Sequence, residues 1–155
     1  MKFKNQIFID ETDKKILKVL ESNSRASLRE ISKKTGLSVT KVYHHFNKLK
    51  KEIIERFTIK LNREKLGLKF KAFILIKTDY EVLKKKKISQ LDIANKLKKF
   101  EFIKNVEIIV GDYDLLCSVV CKDVEEFNNI LFNIVHKIDG IESTHTIVSI
   151  KTIKE

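Results

Sequence analysis

The chain of 155 residues has no proline, no tryptophan, only four glycines and two cysteines, and no long apolar run. The last absence excludes a membrane-spanning helix, which needs about 20 mostly apolar residues in succession. The opening MKFKNQIFIDETD lacks the apolar core and small-residue cleavage site of a secretory signal, so a cytoplasmic protein is expected. Cys117 and Cys121 stand four apart in a β-branched run. On a strand they share one face, which reads as buried packing rather than a zinc or redox pair. The glycines form no phosphate-cradling loop, and the four histidines (His44, His45, His136, His145) have no metal-site spacing, so neither a metal nor a cofactor is expected. The missing proline and tryptophan, the excess of lysine over arginine and the many isoleucines fit a heat-adapted proteome and an AT-rich genome equally well.

What is plentiful is positive charge. Thirty-two Lys and Arg against 21 Asp and Glu leave a net charge of +11. The excess is uneven: residues 1–64 hold sixteen basic and eight acidic side chains, residues 65–155 sixteen and thirteen. A basic first half favours a polyanionic partner such as duplex DNA.

That half is organised around the stretch from Ser27 to Lys51, SLREISKKTGLSVTKVYHHFNKLKK. Ser27 and Glu30 form a capping box, so a helix is expected to start at Ser27. Gly36 can end it in a left-handed conformation. Ser38 caps the next helix, in which Val42, Phe46 and Leu49 make the inward stripe. The outward stripe, Thr40, Lys41, Tyr43, His44, Asn47 and Lys48, carries donors and cations without a carboxylate, as a helix reading DNA would. Lys33, Lys34, Lys48, Lys50 and Lys51 are the expected phosphate contacts. Ser38, Thr40, Lys41, Tyr43 and His44 are placed to enter the site, the last four to read bases. An ordinary helical hairpin with a solvated polar face would show the same spacing; the charge asymmetry favours the nucleic-acid reading.

Before this hairpin, Asp10 or Thr12 can cap a first helix reaching about Asn23, with Ile16, Leu17 and Leu20 inward. After it, Phe57, Ile59 and Leu61 alternate with polar residues, which predicts a strand. The chain then changes character. Residues 70–78 predict a strand, Ser89 to Phe100 a helix, 106–110 a strand, Gly111 to Asp114 a turn, and 115–121 a third strand. A helix capped by Asp123 with Phe127, Ile130, Leu131, Ile134 and Ile138 on one face is closed by Gly140, and 144–153 is the last strand. Lys84 to Lys87 reads as a solvated loop; a direct DNA contact is the alternative, but the run lies outside the basic hairpin and is assigned no role. The order β-α-β-β-α-β predicts a ferredoxin-like sheet with both helices on one side, and a second copy of the chain is the simplest cover for the other side.

The segments IDETDKKILKVLESNSRASLREISKKTGLSVTKV, LNREKLGL, VGDYDLL and GIESTHTIVSIKTI resemble the leucine-responsive regulatory protein and AsnC (Lrp/AsnC) family of bacterial and archaeal transcription regulators. The resemblance implies an α+β protein: an N-terminal winged helix-turn-helix domain (1–56), a linker with a strand (57–69) and a ferredoxin-like βαββαβ regulatory domain (70–155). It implies a homodimer, often assembled into tetramers or octamers, and an amino-acid effector bound between regulatory domains. In the family pattern Gly111 and Asp114 lie near that site, with Thr144 and Thr146 at comparable positions of the last strand. A hairpin turn needs such residues as Gly111 and Asp114 with or without a ligand. The chain departs from the pattern at KKEIIE, which has no glycine after the recognition helix, and at Val39, where a proline is common; the first departure leaves wing contacts with DNA open. Two other readings stay in view: a haem-pathway decarboxylase-like enzyme on the same architecture, and a small-molecule-sensing module that does not bind DNA. The scattered histidines disfavour the first and the basic N-terminal half the second.

Overall fold

The computed structural model describes residues 8–153, so the outermost parts of the expected domains, residues 1–7 and 154–155, lie outside the described residues. The chain divides into two compact units, one running to Leu61 and the other starting at Asn62.

The first unit is three helices. α1 spans Glu11–Ser22, and Asp10, not Thr12, caps it: its side chain accepts from the amide of Asp13, whose own carboxylate accepts from Asp10 N–H. α2 (Leu28–Thr35) begins with the reciprocal Ser27–Glu30 box and ends at Gly36 with φ 71°, a left-handed cap. α3 (Val39–Glu52) starts at Ser38, whose hydroxyl accepts from Lys41 N–H. Each helix start is thus set by a side chain satisfying amides that the helix itself leaves unpaired. Ile16, Leu20, Ile31, Val42 and Leu49 form the buried core, with Leu17, Leu28, Phe46 and Ile53 packed around it.

The strand expected at Phe57 to Leu61 is not formed. Alternation supplies a two-faced ribbon, but a strand needs a second backbone, and no described residue provides one. Phe57 instead stacks on Phe46 with ring centroids 6.2 Å apart, and Ser24 Oγ donates to the Thr58 carbonyl at 3.3 Å. Ile59 is left 72% exposed. No wing of paired strands is seen among the described residues of this unit.

The second unit is a four-stranded sheet: β1 (Phe70–Thr78), β2 (Ile103–Ile108), β3 (Leu115–Cys121) and β4 (Ile141–Val148), in the order β2-β3-β1-β4 with every neighbour antiparallel. This is the ferredoxin-like arrangement. Its helices are α4 (Tyr80–Lys86), α5 (Gln90–Leu97) and α6 (Val124–Asn133), the last followed by a short 3-10 turn. Several boundaries differ from expectation. The lysine run is not a loop: Asp79 caps α4, Leu83 is buried, and Lys84 to Lys86 form the last turn. α5 stops at Leu97 rather than Phe100, β2 starts three residues earlier than the alternation suggested, and β4 ends at Val148.

Cross-strand partners place Ala72, Ile74 and Ile76 of β1, Leu115, Cys117 and Val119 of β3, and Thr144 and Thr146 of β4 on one face. The apolar members of this face are buried with Leu83, Ile93, Leu97, Phe127, Ile130 and Val135. Burial pushes the Cys117 thiol up to about 12 and, helped by Glu126 and Asp123, the Cys121 thiol to about 11. Both stay protonated and unreactive near neutral pH. The opposite face carries Phe73, Leu75, Leu116 and Ile147, with Ile147 still 47% exposed. No helix among the described residues is long and apolar enough to cross a membrane.

Gly140 does not close α6 but sits seven residues beyond it at φ 91°, where an added Cβ would lie 2.8 Å from Leu83 Cδ2 and 3.1 Å from Ile93 Cδ1. Gly140→Ala is expected to cost about 1–3 kcal/mol, combining the positive-φ penalty with overpacking. Gly36→Ala meets nothing within 4 Å and should cost about 1 kcal/mol from backbone strain alone. Thermal unfolding of the two variants checks the order.

Candidate nucleic-acid interface and effector edge

α3 presents its polar side as the first unit's most chemically varied surface. Ser38, Thr40, Lys41, Tyr43, His44, Asn47, Lys50 and Lys51 are all exposed, as are Lys33 and Lys34 of α2. Tyr43 is 51% exposed and its ring meets His44 edge to face, centroids 5.6 Å apart. No carboxylate lies between Val39 and Lys51. The side chains of Lys41, Lys50 and Lys51 make no ion pair or hydrogen bond among the described residues, so their ammonium groups remain available to phosphates.

Lys48 is placed differently. Its Nζ donates to Asp13 Oδ2 at 2.7 Å and to the Phe8 carbonyl at 2.8 Å. Asp13 is fully buried, and its other oxygen lies 2.7 Å from His45 Nδ1. α3 is thereby tied to the start of α1 by two side chains converging on one carboxylate. Burial pushes the Asp13 carboxyl up, but hydrogen bonds from Lys48, His45 and the Asp10 backbone together outweigh it and hold the group below its ordinary value. The same hydrogen bond raises Lys48. This clamp was not foreseen. Its partners are 32 and 35 residues apart in sequence, and the only local hint was an aspartate in a first helical turn, which the macrodipole explains by itself. Asp10, Asp13 and His45 are also close enough to share a cation, but the Lys48 ammonium already holds the positive charge there.

The effector edge is equally altered by the fold. Asp114 accepts from Thr78 N–H at 2.7 Å and Thr78 Oγ1 at 2.8 Å on one oxygen, and from Gln90 Nε2 at 2.8 Å on the other. Its backbone N–H donates to Ile76 and its carbonyl accepts from Ile109. Asp114 is therefore a rivet joining the end of β1, the start of α5 and the β2–β3 hairpin, a role in which Thr78 and Gln90 were missed. Gly111 turns the same hairpin, exposed at φ 152°. Thr144 lies opposite Ile76 and Thr146 opposite Ile74, across β1 from the hairpin. Two strand spacings separate the two groups, roughly 10 Å. His136 Nε2 lies 2.7 Å from Thr144 Oγ1, and the His145 ring packs on Tyr113 with centroids 6.2 Å apart.

A capped three-helix unit with a carboxylate-free recognition helix, followed in the chain by a ferredoxin-like sheet unit, defines a DNA-binding regulator of the two-domain kind. The comparisons with known proteins agree. The winged helix-turn-helix DNA-binding model matches residues 9–52, and the Lrp/AsnC ligand binding domain matches residues 71–155. The HTH-type transcriptional regulator FL11 of Pyrococcus abyssi is 38% identical over 97% of this chain and 95% of its own. LrpA of Pyrococcus horikoshii is 33% identical over 94% and 99%. In fold, E. coli AsnC superposes with a TM-score of 0.82 at 24% identity, covering 96% of this chain and 97% of that one. A Neisseria meningitidis transcriptional regulator solved with L-methionine superposes at 0.85 and 22% identity, covering 96% and 94%. The chain belongs to the Lrp/AsnC family of DNA-binding transcriptional regulators.

Proposed function

We propose that this regulator binds a near-palindromic operator as a two-fold dimer, inserting α3 of each copy into successive major grooves. The observation that carries the reading is the outward side of α3, where Thr40, Lys41, Tyr43 and His44 stand exposed with no carboxylate among them. Two recognition helices related by a dyad enter the same face of B-DNA when their half-sites are about one helical turn apart, roughly 34–36 Å. Lys33, Lys34, Lys50 and Lys51 neutralise phosphates, while Lys48 holds α3 against α1. The dimer is supported by the sheet face of Phe73, Leu75, Leu116 and Ile147, which no element of the described chain covers, and by the unpaired apolar alternation at Phe57, Ile59 and Leu61. Larger assemblies, tetramers or octamers, extend the same contacts.

The effector in this reading is an amino acid, in keeping with the ligand-binding family model and the L-methionine complex of the Neisseria structure. Gly111, Thr144 and Thr146 border its site. Asp114 shapes the hairpin there rather than meeting the ligand's ammonium, because its oxygens already accept three hydrogen bonds. An effector acts only through differential affinity for two spacings of the recognition helices. The enzyme reading has little to stand on. His45 faces Asp13, His136 faces Thr144, and His44 and His145 pack on tyrosines, so no two imidazoles converge on a common substrate position.

Selection of genomic fragments by the purified protein across a salt series tests the proposal. A recovered near-palindrome with half-sites about one turn apart, preferred over bulk DNA as salt rises, is expected. Salt-sensitive binding with no recovered motif would reduce the protein to a general DNA binder.

A further inference from the structure

The basic excess of the second unit is concentrated in one stretch. Residues 80–104 hold eight lysines and three carboxylates, whereas the remainder of residues 65–155 holds eight basic and ten acidic side chains. Folding gathers these lysines instead of dispersing them. Leu83 of α4, Ile88 of the connection and Ile93 of α5 all lie within 3.5 Å of where a Cβ on Gly140 would stand, so both short helices are anchored at one point. Lys86 Nζ pairs with Asp139 at 2.7 Å. The Asp139 carboxyl is lowered first by Lys86 and, more weakly, by Lys96, so lysines of both helices act on one carboxylate. Lys98 and Lys104 border a shallow cleft between α5 and β2.

All eight lysines are exposed. The carboxylates that could neutralise them are largely committed: Asp92 accepts from the Ser89 backbone and hydroxyl in a capping box, and Asp139 holds Lys86. Lys84, Lys85, Lys87, Lys98 and Lys99 make no side-chain hydrogen bond or ion pair among the described residues. The last turn of a helix tolerates cations, which accounts for Lys84 to Lys86 but not for Lys87. That residue caps α4 at φ 53°, ψ 40°. It is the one described non-glycine residue at positive φ, in a conformation that costs an ordinary side chain about 1–2 kcal/mol and glycine almost nothing. A glycine would relieve both the backbone strain and the repulsion from three neighbouring ammonium groups.

We infer that the α4–α5 lysine face is a second duplex-DNA contact surface, which grips phosphates flanking the operator while the recognition helices hold the half-sites. Like point charges on flexible stems suit phosphates without regard to base sequence. Once α3 has docked, neighbouring phosphates are present at a high effective concentration, so individually weak contacts add usefully to affinity. The inference rests on the DNA-binding reading of α3, and its test separates the two.

The test compares two duplexes carrying the operator that the protein selects: one ending at the half-sites, the other extended at each end by about two helical turns of unrelated sequence. The wild-type chain is expected to bind the long duplex more tightly, with a slope of log K against log salt steeper by about 5 if three lysines of each copy meet phosphates. The variant carrying Lys84→Gln, Lys85→Gln, Lys87→Gln, Lys98→Gln and Lys99→Gln keeps the Lys86–Asp139 pair. It should bind the short duplex as the wild type does and lose the length-dependent gain, while arginine at the same five positions should retain it. No length dependence in the wild type overturns the inference while leaving the α3 reading intact, as does equal loss on both duplexes, or loss in the arginine variant as well. Failure of the wild type to bind the short duplex instead removes the operator reading on which it depends. Binding of the lysine face to anionic vesicles in preference to flanking DNA would assign it to a membrane surface and would also overturn the inference.

Discussion

Replacing Asp13 with alanine is expected to unfold the DNA-binding unit at a much lower temperature and to abolish operator binding without touching a single DNA-facing side chain. The unit has a small core, with five fully or nearly buried apolar residues, each contributing roughly 1.5–3 kcal/mol, and small domains keep only a narrow net margin. One buried carboxylate that fastens α3 to α1 is therefore a large fraction of its margin. Removing it strands His45 and the Lys48 ammonium near an apolar interior. Breaking a buried pair from one side costs about 3–5 kcal/mol; because Lys48 is about a third exposed and can turn to water, about 2–4 kcal/mol is the better expectation. In a domain of this size each kcal/mol moves the melting temperature by about 4–8 °C. Calorimetry should show the N-terminal transition shifted down by more than about 8 °C and the sheet unit unchanged. Asp13→Asn keeps an acceptor oxygen and should fall between the two. Equal melting of wild type and Asp13→Ala would mean that α3 is held by packing alone.

The acid and alkaline limits of the clamp follow from the directions of its shifts. Asp13 is held below its ordinary value of 3.8 in the folded state, so its contribution is full above that value and is lost as pH falls through the lower folded value. Lys48 is raised above 10.5, so the contribution is full below that value and is lost as pH rises through the higher folded one. The stability gap between wild type and Asp13→Ala is thus expected to narrow as pH falls through the folded Asp13 value and as pH rises through the folded Lys48 value.

The features legible in the sequence are those whose causes are local. Asp10, Ser27, Ser38, Ser89 and Asp123 each satisfy an amide three residues ahead, so the helix starts could be read from short windows. β1 and β3 bury one face continuously, and their residue types announce it. What escaped has a partner far along the chain. Lys48 looked like its neighbours on the polar stripe until the fold brought Asp13 to it. Asp114 looked like a turn residue, and it is one, but its carboxylate is spent on Thr78 and Gln90, 36 and 24 positions away. The lysine run reads as a loop because charge dominates its composition; Leu83 burying beside Gly140 and Asp79 capping the turn decide otherwise. At Phe57 to Leu61 the pattern promises a strand, and the missing ingredient is a second backbone, which no described residue provides.

The largest functional effect is expected at α3 itself, where the proposed binding mode has Lys41 and His44 reading bases and Lys50 meeting the phosphate backbone. A well-formed contact to a base edge discriminates by about 1–3 kcal/mol. A two-fold dimer carries every substitution twice, so Lys41→Ala or His44→Ala should weaken operator binding by about 2–6 kcal/mol, roughly 30-fold to 10⁴-fold. Affinity for bulk DNA should fall far less, and the selected motif should degrade at the pair of symmetric positions facing the lost side chain. Lys50→Gln should behave in the opposite way. It should lower affinity for operator and bulk DNA by the same factor and flatten the slope of log K against log salt by about 2, one phosphate in each copy. His44→Ala has a second route to damage, because its ring holds Tyr43 edge to face, so Tyr43→Phe is the control that keeps the ring contact while removing the hydroxyl. If all of these variants lower operator and bulk affinity equally, α3 is not reading sequence, and specificity would have to come from how the DNA bends around the dimer.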